Sequence, residues 1–224
     1  METDPSIEKD GRMRVVVTAG PTREHLDPVR FLSNPSTGKM GYAVAQEAAK
    51  RGYEVILVSG PVSLPTPSGV KRVDVVSARD MLLKVREALC GGGEQVLVSV
   101  AAIADWRPKT YSSKKLKKSS MTGVIELVRN PDILKTINSE MRRGKLPKAK
   151  LVGFAAETGD PLQEAARKCR AKGLEFVVAN DVTAKDAGFA VDTNRASLVF
   201  ANGYVETLKL MSKRALARII VDKL

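Results

Sequence analysis

Short apolar runs alternate along this chain with stretches whose apolar residues recur at helical spacing. Val15-Val16-Val17-Thr18-Ala19-Gly20 is almost continuously apolar and closes on a glycine, the pattern of a strand covered on both faces. Residues 42–51 place Val44, Ala45, Ala48 and Ala49 on one face and predict a helix that Gly52 stops. Residues 54–60 and 70–76 predict the next two strands. Ala78–Leu89 carries Met81, Leu82, Val85 and Leu89 at helical period before Gly91-Gly92-Gly93 breaks it. Strand-like runs follow at 95–102, 150–156 and 174–180, the last two separated by a helix over Pro161–Lys172.

Six strands with helices between them predict an α/β fold: a Rossmann-like, doubly wound, mostly parallel six-stranded sheet. Two segments interrupt the alternation. Residues 113–128 form a basic loop ending in the strand-like Gly123-Val124-Ile125-Glu126-Leu127-Val128, and residues 189–210 read as a hairpin with Asn202-Gly203 at its turn. Both are assigned to a small antiparallel β-subdomain at the sheet's edge, followed by a last helix over residues 212–224. Residues 13–224 therefore read as one domain behind a flexible polar tail, residues 1–12, that lacks the apolar core of a secretory signal. No apolar run reaches the roughly 20 residues that span a bilayer.

Charge and rare residues then narrow the chemistry. The 37 Lys and Arg against 25 Asp and Glu give a net charge of +12, which favours anionic partners. His25 is the single histidine; a multi-histidine metal site is excluded, and no nucleophile elbow accompanies it. Cys90 and Cys169 are too few for a disulfide framework and fit a reducing cytoplasm. Lys168 and Arg170 flank Cys169 and would lower its pKa, although a mid-helix cysteine is more simply a packing residue. What remains is chemistry by positioning, lysines and amides.

That chemistry has an obvious seat in Ser33-Asn34-Pro35-Ser36-Thr37-Gly38-Lys39-Met40-Gly41, between the first strand and the first helix. Gly38 and Gly41 leave room for close backbone approach, the helix N-terminus offers N–H groups to a phosphate, and Asn34 holds a side-chain amide beside them. The plainer reading is a loop whose glycines merely cap a helix. In an open α/β sheet ligands bind beyond the carboxyl ends of the strands, where Gly20, Ala101, Ala102, Phe154 and Asn180 fall. Small side chains at Ala101 and Ala102 would let a ligand lie against the main chain. Asp105 would accept ribose hydroxyls or join a Mg²⁺ ion; its alternative is a helix cap. Lys114-Lys115-Leu116-Lys117-Lys118 is either a solvated face or a mobile basic flap over a triphosphate.

Eight ordered motifs carry a family resemblance: Gly20-Pro21-Thr22-Arg23-Glu24, Asp27-Pro28-Val29-Arg30-Phe31, Asn34 through Gly41, Ala101 through Pro108, Lys115-Leu116-Lys117-Lys118, Asn130-Pro131-Asp132-Ile133-Leu134, Gly153-Phe154-Ala155-Ala156-Glu157-Thr158 and Asn180-Asp181-Val182. The chain resembles phosphopantothenoylcysteine synthetase, the synthetase half of the bifunctional coenzyme A biosynthesis flavoprotein. The resemblance implies a cytoplasmic amide ligase that activates 4′-phosphopantothenate with CTP, or ATP, as an acyl-nucleotide and then couples it to L-cysteine. It implies Mg²⁺ carried by the nucleotide phosphates, no flavin in this chain, a homodimer expected to form through the β-subdomain around residues 196–210, and a decarboxylase partner that is fused or separate. By position it gives Asn34 the acyl group, Arg30 the pantothenate moiety of the neighbouring subunit, and Ala101, Ala102 and Asp105 the shared pocket wall. Gly20, Ser36, Gly38 and Gly41 would meet phosphates, and Lys115 would neutralise charge during acyl transfer. Ser99, Val100, Pro131, Asp132, Ile133, Leu134, Phe154, Lys168, Lys172 and Asn180 would complete the nucleotide site. For Lys168 and Lys172, one turn apart, a solvated helix face is the alternative. Family members often differ at Pro35-Ser36-Thr37 but keep the serine and glycine.

Two other functions have some footing. Tyr111 and Lys115 form Tyr-x-x-x-Lys, with Ser99 upstream, as in short-chain dehydrogenases. Against this, the first turn lacks a tight glycine fingerprint, the second strand ends in Ser59-Gly60 without an acidic residue, and Tyr111 sits in a loop. The charge also suggests a nucleic-acid-binding module, but aromatic content is 4% and no such motif is present.

Overall fold

The computed structural model describes residues 12–120, 123–157, 161–181 and 191–224. Of the expectations above, the tail up to Gly11, Thr158, Val182 and the lead-in to the hairpin at 189–190 lie outside the described residues.

Eight strands form one sheet: β1 Arg14–Ala19, β2 Glu54–Ser59, β3 Val70–Asp74, β4 Gln95–Ser99, β5 Lys150–Glu157, β6 Phe176–Asp181, β7 Ala196–Phe200 and β8 Val205–Thr207. Their order is β8-β7-β6-β5-β4-β1-β2-β3. The six strands from β6 to β3 are parallel throughout, in the order of a doubly wound dinucleotide-binding sheet. Register is close: Val16 lies opposite Ile56 on one side and Leu97 on the other.

Five helices cover the sheet: α1 Lys39–Lys50, α2 Ala78–Leu89, α3 Ile133–Arg142, α4 Pro161–Lys172 and α5 Lys213–Val221. Side chains alternate along each strand, so a continuous apolar run serves two cores. Val15, Val17, Leu57, Val98 and Val178 face α1 and α5, while Val16, Ile56, Leu97 and Val177 face α2, α3 and α4. This is why the inner strands show no polar alternation. Among the described residues, no helix is long and apolar enough to cross a membrane.

The two irregular segments part company in three dimensions. Residues 196–207 form the expected hairpin, yet it continues the main sheet: β7 pairs antiparallel with β6 and β8 with β7. Leu127–Arg129 instead pairs antiparallel with Trp106–Pro108, and a further short ladder joins Arg23–His25 to Phe31–Ser33. α3 was not anticipated. Asp132 caps it by accepting the Lys135 N–H at 3.0 Å, a signal masked by the reading of Asn130–Leu134 as a binding motif.

Candidate functional site

The sheet winds outward in both directions from β1 and β4, so their carboxyl ends open a crevice. Two cavities occupy it. The larger, about 420 Å³, reaches from the start of α1 to the exits of β4, β5 and β6. The smaller, about 210 Å³, lies between the β4 exit and the start of α3. Ala101, Ile103 and Phe154 line both and form the wall between them.

Hydrogen bonds from β1 fix that wall. Buried Thr18 accepts the N–H groups of Val100 and Ala101 at its Oγ1, 3.1 Å each. Ala102 N–H donates to the Gly20 carbonyl at 2.9 Å, and Thr22 Oγ1 accepts the Ala104 N–H at 3.0 Å. These N–H groups are engaged inside the fold and do not serve as donors to a ligand. Ala101 lines both cavities and Ala102 the larger. Asn34 donates from Nδ2 to the Ala102 carbonyl at 3.1 Å, which leaves Oδ1 of the same amide for a ligand. Ser99 lines the smaller cavity and Val100 the larger.

Gly38 is the N-cap of α1, with φ at +79° beside Gly20 at +75°, and no side chain caps the helix. Ser36 Oγ accepts only the Gly38 N–H, at 3.3 Å. By contrast Ser77, Asp132 and Ser212 cap α2, α3 and α5. The first-turn N–H groups of α1 therefore open on the larger cavity, where the helix dipole favours an anion.

Gly41 also lines that cavity, but its main constraint is packing. A Cβ there would lie 2.6 Å from Ala19 Cβ and 2.9 Å from the Thr18 carbonyl oxygen, so the glycine sets how closely α1 approaches β1. Gly41→Ala is expected to cost about 1–3 kcal/mol of stability through overpacking, read as a lowered midpoint in urea unfolding. An unchanged midpoint would return Gly41 to a purely ligand-facing role.

Other predicted residues divide between the cavities. Asn180, at the end of β6, lines the larger; its Oδ1 is buried with no hydrogen-bond partner among the described residues. Asp105, Pro131, Asp132, Ile133, Leu134 and Lys172 line the smaller. Asp105 is exposed and directly precedes the Trp106–Pro108 strand, so the helix-cap alternative falls. Asp132 has a structural duty: besides capping α3 it accepts Lys172 Nζ at 2.8 Å. Lys168 lines neither cavity and lies 3.7 Å from Glu164. Asn194 and Lys213 line the larger cavity without having been anticipated, since they come from segments beyond the parallel strands.

Arg30 lines neither cavity. Its Nη2 donates to Asp27 Oδ2 at 2.6 Å and to the Leu116 carbonyl at 2.8 Å, and Leu116 N–H returns to Asp27 Oδ2 at 3.1 Å. The basic segment is thus tethered at Leu116, with Lys115 exposed beside the tether. Asp27 is fully buried, and the Arg30 side chain, joined by the backbone N–H groups of Arg30, Val29 and Leu116, holds its carboxyl well below the usual range. A depressed carboxyl stabilises the fold fully above its unfolded pKa, about 3.9, and loses that contribution as pH falls through the folded value. Wild-type stability should therefore exceed that of Asp27→Asn by a constant margin from about pH 5 upward, and the margin should shrink in stronger acid. Urea midpoints across pH measure it.

Tyr111 to Lys115 is irregular, so the dehydrogenase spacing is not helical. Cys169 is buried, donates its S–H to the Leu174 carbonyl at 3.2 Å, and has its pKa raised by burial, as a packing residue would. Among the described residues no group of three His, Cys, Asp or Glu side chains could hold a metal ion.

Comparison with known proteins bears on the chain and its fold. The family model described as DNA/pantothenate metabolism flavoprotein C-terminal domain matches residues 11–224. The coenzyme A biosynthesis bifunctional protein CoaBC of Bacillus subtilis (strain 168) is 47% identical over 202 residues, covering 89% of this chain and 48% of that protein. The protein of the same name from Escherichia coli (strain K12) is 41% identical over 215 residues, covering 95% and 51%. The chain thus spans about half the length of these curated relatives. A crystal structure of the C-terminal domain of CoaBC superposes with a TM-score of 0.77 at 40% identity, covering 95% of this chain and 93% of that one.

Proposed function

Since this chain belongs to the DNA/pantothenate metabolism flavoprotein C-terminal domain family, we propose that it is a phosphopantothenate–cysteine ligase of coenzyme A biosynthesis. The observation that carries this reading is the pair of cavities sharing one wall of Ala101, Ile103 and Phe154. A nucleotide and an acyl substrate held in two cavities that adjoin at small Ala101 can bring a carboxylate oxygen to a phosphorus atom.

In the proposed reaction the carboxylate of 4′-phosphopantothenate attacks the α-phosphorus of CTP, with ATP as the alternative, and pyrophosphate leaves. The amine of L-cysteine then attacks the acyl carbon, the nucleoside monophosphate leaves, and an amide forms. The enzyme supplies no covalent nucleophile, which accords with a single histidine outside both cavities. Asn34 orients the acyl group, Asp105 accepts ribose hydroxyls, and Lys115 swings from its tethered loop to neutralise charge at phosphorus. Mg²⁺ would arrive on the nucleotide phosphates and offset their charge. Asp105 would be the alternative carboxylate for that ion, in place of its ribose contact, because Asp132 is committed to the α3 cap and Lys172.

A homodimer belongs to the same proposal, with a shift of surface. The hairpin at 196–207 is built into the sheet, whereas Val29, Phe31, Trp106, Tyr111, Ile125 and Leu127 expose apolar side chains on and beside the two short ladders. A partner docked there would bring Arg30 toward its neighbour's cavity. A decarboxylase, fused or separate, and a reducing cytoplasm complete the proposed setting; Cys90 and Cys169 are both free thiols.

The deciding experiment is a pyrophosphate-release assay with 4′-phosphopantothenate and L-cysteine, comparing CTP with ATP. Release that requires the acyl substrate, with amide formed on adding cysteine, is the expected result. No release with either nucleotide would overturn the reading.

A further inference from the structure

Extending this ligase reading, we propose that Lys213 and Asn194 form the phosphate-gripping end of the larger cavity, completing with the start of α1 a site for a phosphomonoester or polyphosphate group. Asn194 is 3% exposed and lines the cavity. Its Oδ1 has no hydrogen-bond partner among the described residues, and its Nδ2 meets only the Met40 sulfur, at 3.6 Å. Met40 is the second residue of α1, so this amide sits over the uncapped first turn. Thioether sulfur is a weak acceptor, and a buried amide left this way is costly unless something else satisfies it. A half-turn of the amide would exchange its two ends, giving up the weak contact with sulfur and turning Nδ2 to the side that now lacks a partner.

Lys213 supplies the charge. It is the first residue of α5, 7% exposed, and its ammonium donates to the Val191 carbonyl. It lines the larger cavity together with Lys39, and the same two lysines border a neighbouring cavity of about 650 Å³, so they stand as a partition of positive charge. Asp192 accepts Lys39 Nζ at 2.7 Å but turns most of its carboxylate to solvent. Burial, followed by the nearby Lys39 charge, pushes the Lys213 pKa down. An anion beside it would reverse both effects. The first turn of α1, Lys39, Lys213 and Asn194 thus border one cavity where no side chain caps the helix.

The test compares wild type with Lys213→Met, Lys213→Arg and Asn194→Leu. Calorimetric titration with inorganic pyrophosphate and inorganic phosphate probes the site directly, and KM for CTP and for 4′-phosphopantothenate is measured separately. Lys213→Met and Asn194→Leu are expected to weaken probe binding and raise one KM by about 10- to 100-fold, the loss of a charge-assisted contact, with Lys213→Arg restoring most of it. A rise confined to CTP assigns the site to the polyphosphate; a rise confined to phosphopantothenate assigns it to the monoester. Folded Lys213→Met with unchanged probe affinity and both KM values unchanged overturns the proposal. If Lys213→Met does not fold, Asn194→Leu decides by the same criteria. Should wild type bind pyrophosphate yet form no product, the ligase reading falls, while weakened probe binding in the variants still supports the site.

Discussion

Lys115→Gln is expected to release pyrophosphate about 10²- to 10³-fold more slowly than wild type while unfolding at the same urea concentration. Lys115 is exposed, and among the described residues no hydrogen bond or ion pair ties down its ammonium. Its neighbour Leu116, by contrast, is held at both backbone atoms by Asp27 and Arg30. The loop is therefore anchored next to the residue proposed to move. Removing the charge leaves the anchor intact, so stability stays constant while the negative charge developing at phosphorus loses a compact cation. Pre-steady-state pyrophosphate release separates this from a change in nucleotide affinity. A wild-type release rate would remove Lys115 from the mechanism.

The second large effect is expected from Asn34→Asp. Nδ2 of Asn34 donates to the Ala102 carbonyl at 3.1 Å; a carboxylate oxygen in that place would face the carbonyl with no proton between them. The carboxylate would also put negative charge in the cavity proposed to take anions, turning the acyl carbon away from the incoming amine. Amide formation should fall about 10²-fold or more, as misplacement of a reacting group by an ångström predicts. Because carboxyl activation in the proposed reaction would rest chiefly on the phosphate contacts, the acyl-nucleotide should accumulate and be visible by mass spectrometry after acid quench. Normal turnover with no intermediate would end the assignment of Asn34 to the acyl group.

These two residues also mark how far the site was legible. Asn34 and Lys115 sit in short motifs whose residue types suit the proposed chemistry; the fold sets Asn34 on the larger cavity and leaves Lys115 outside both. Asp132 and Lys172 stood in equally suggestive motifs, yet the fold pairs them with each other. Gly41 resembled a phosphate-loop glycine, and the distance to Ala19 shows a packing role as well. Asn194 and Lys213 carried no local signal: an asparagine before a hairpin strand and a lysine opening a helix are commonplace in a sequence.

The chain's own pattern determined the six parallel strands, the helices other than α3 and the crevice at the strands' carboxyl ends. Continuous apolar runs and helical period act over neighbouring residues, and the right-handed crossover leaves few ways to assemble them. Tertiary structure alone decided which polar groups are engaged and which still await a ligand. Thr18 takes the N–H groups of residues more than eighty positions away, and Asn194 is brought from the far end of the chain onto the first turn of α1. Hydrogen-bond satisfaction is a property of distance in space, and no local spacing encodes it.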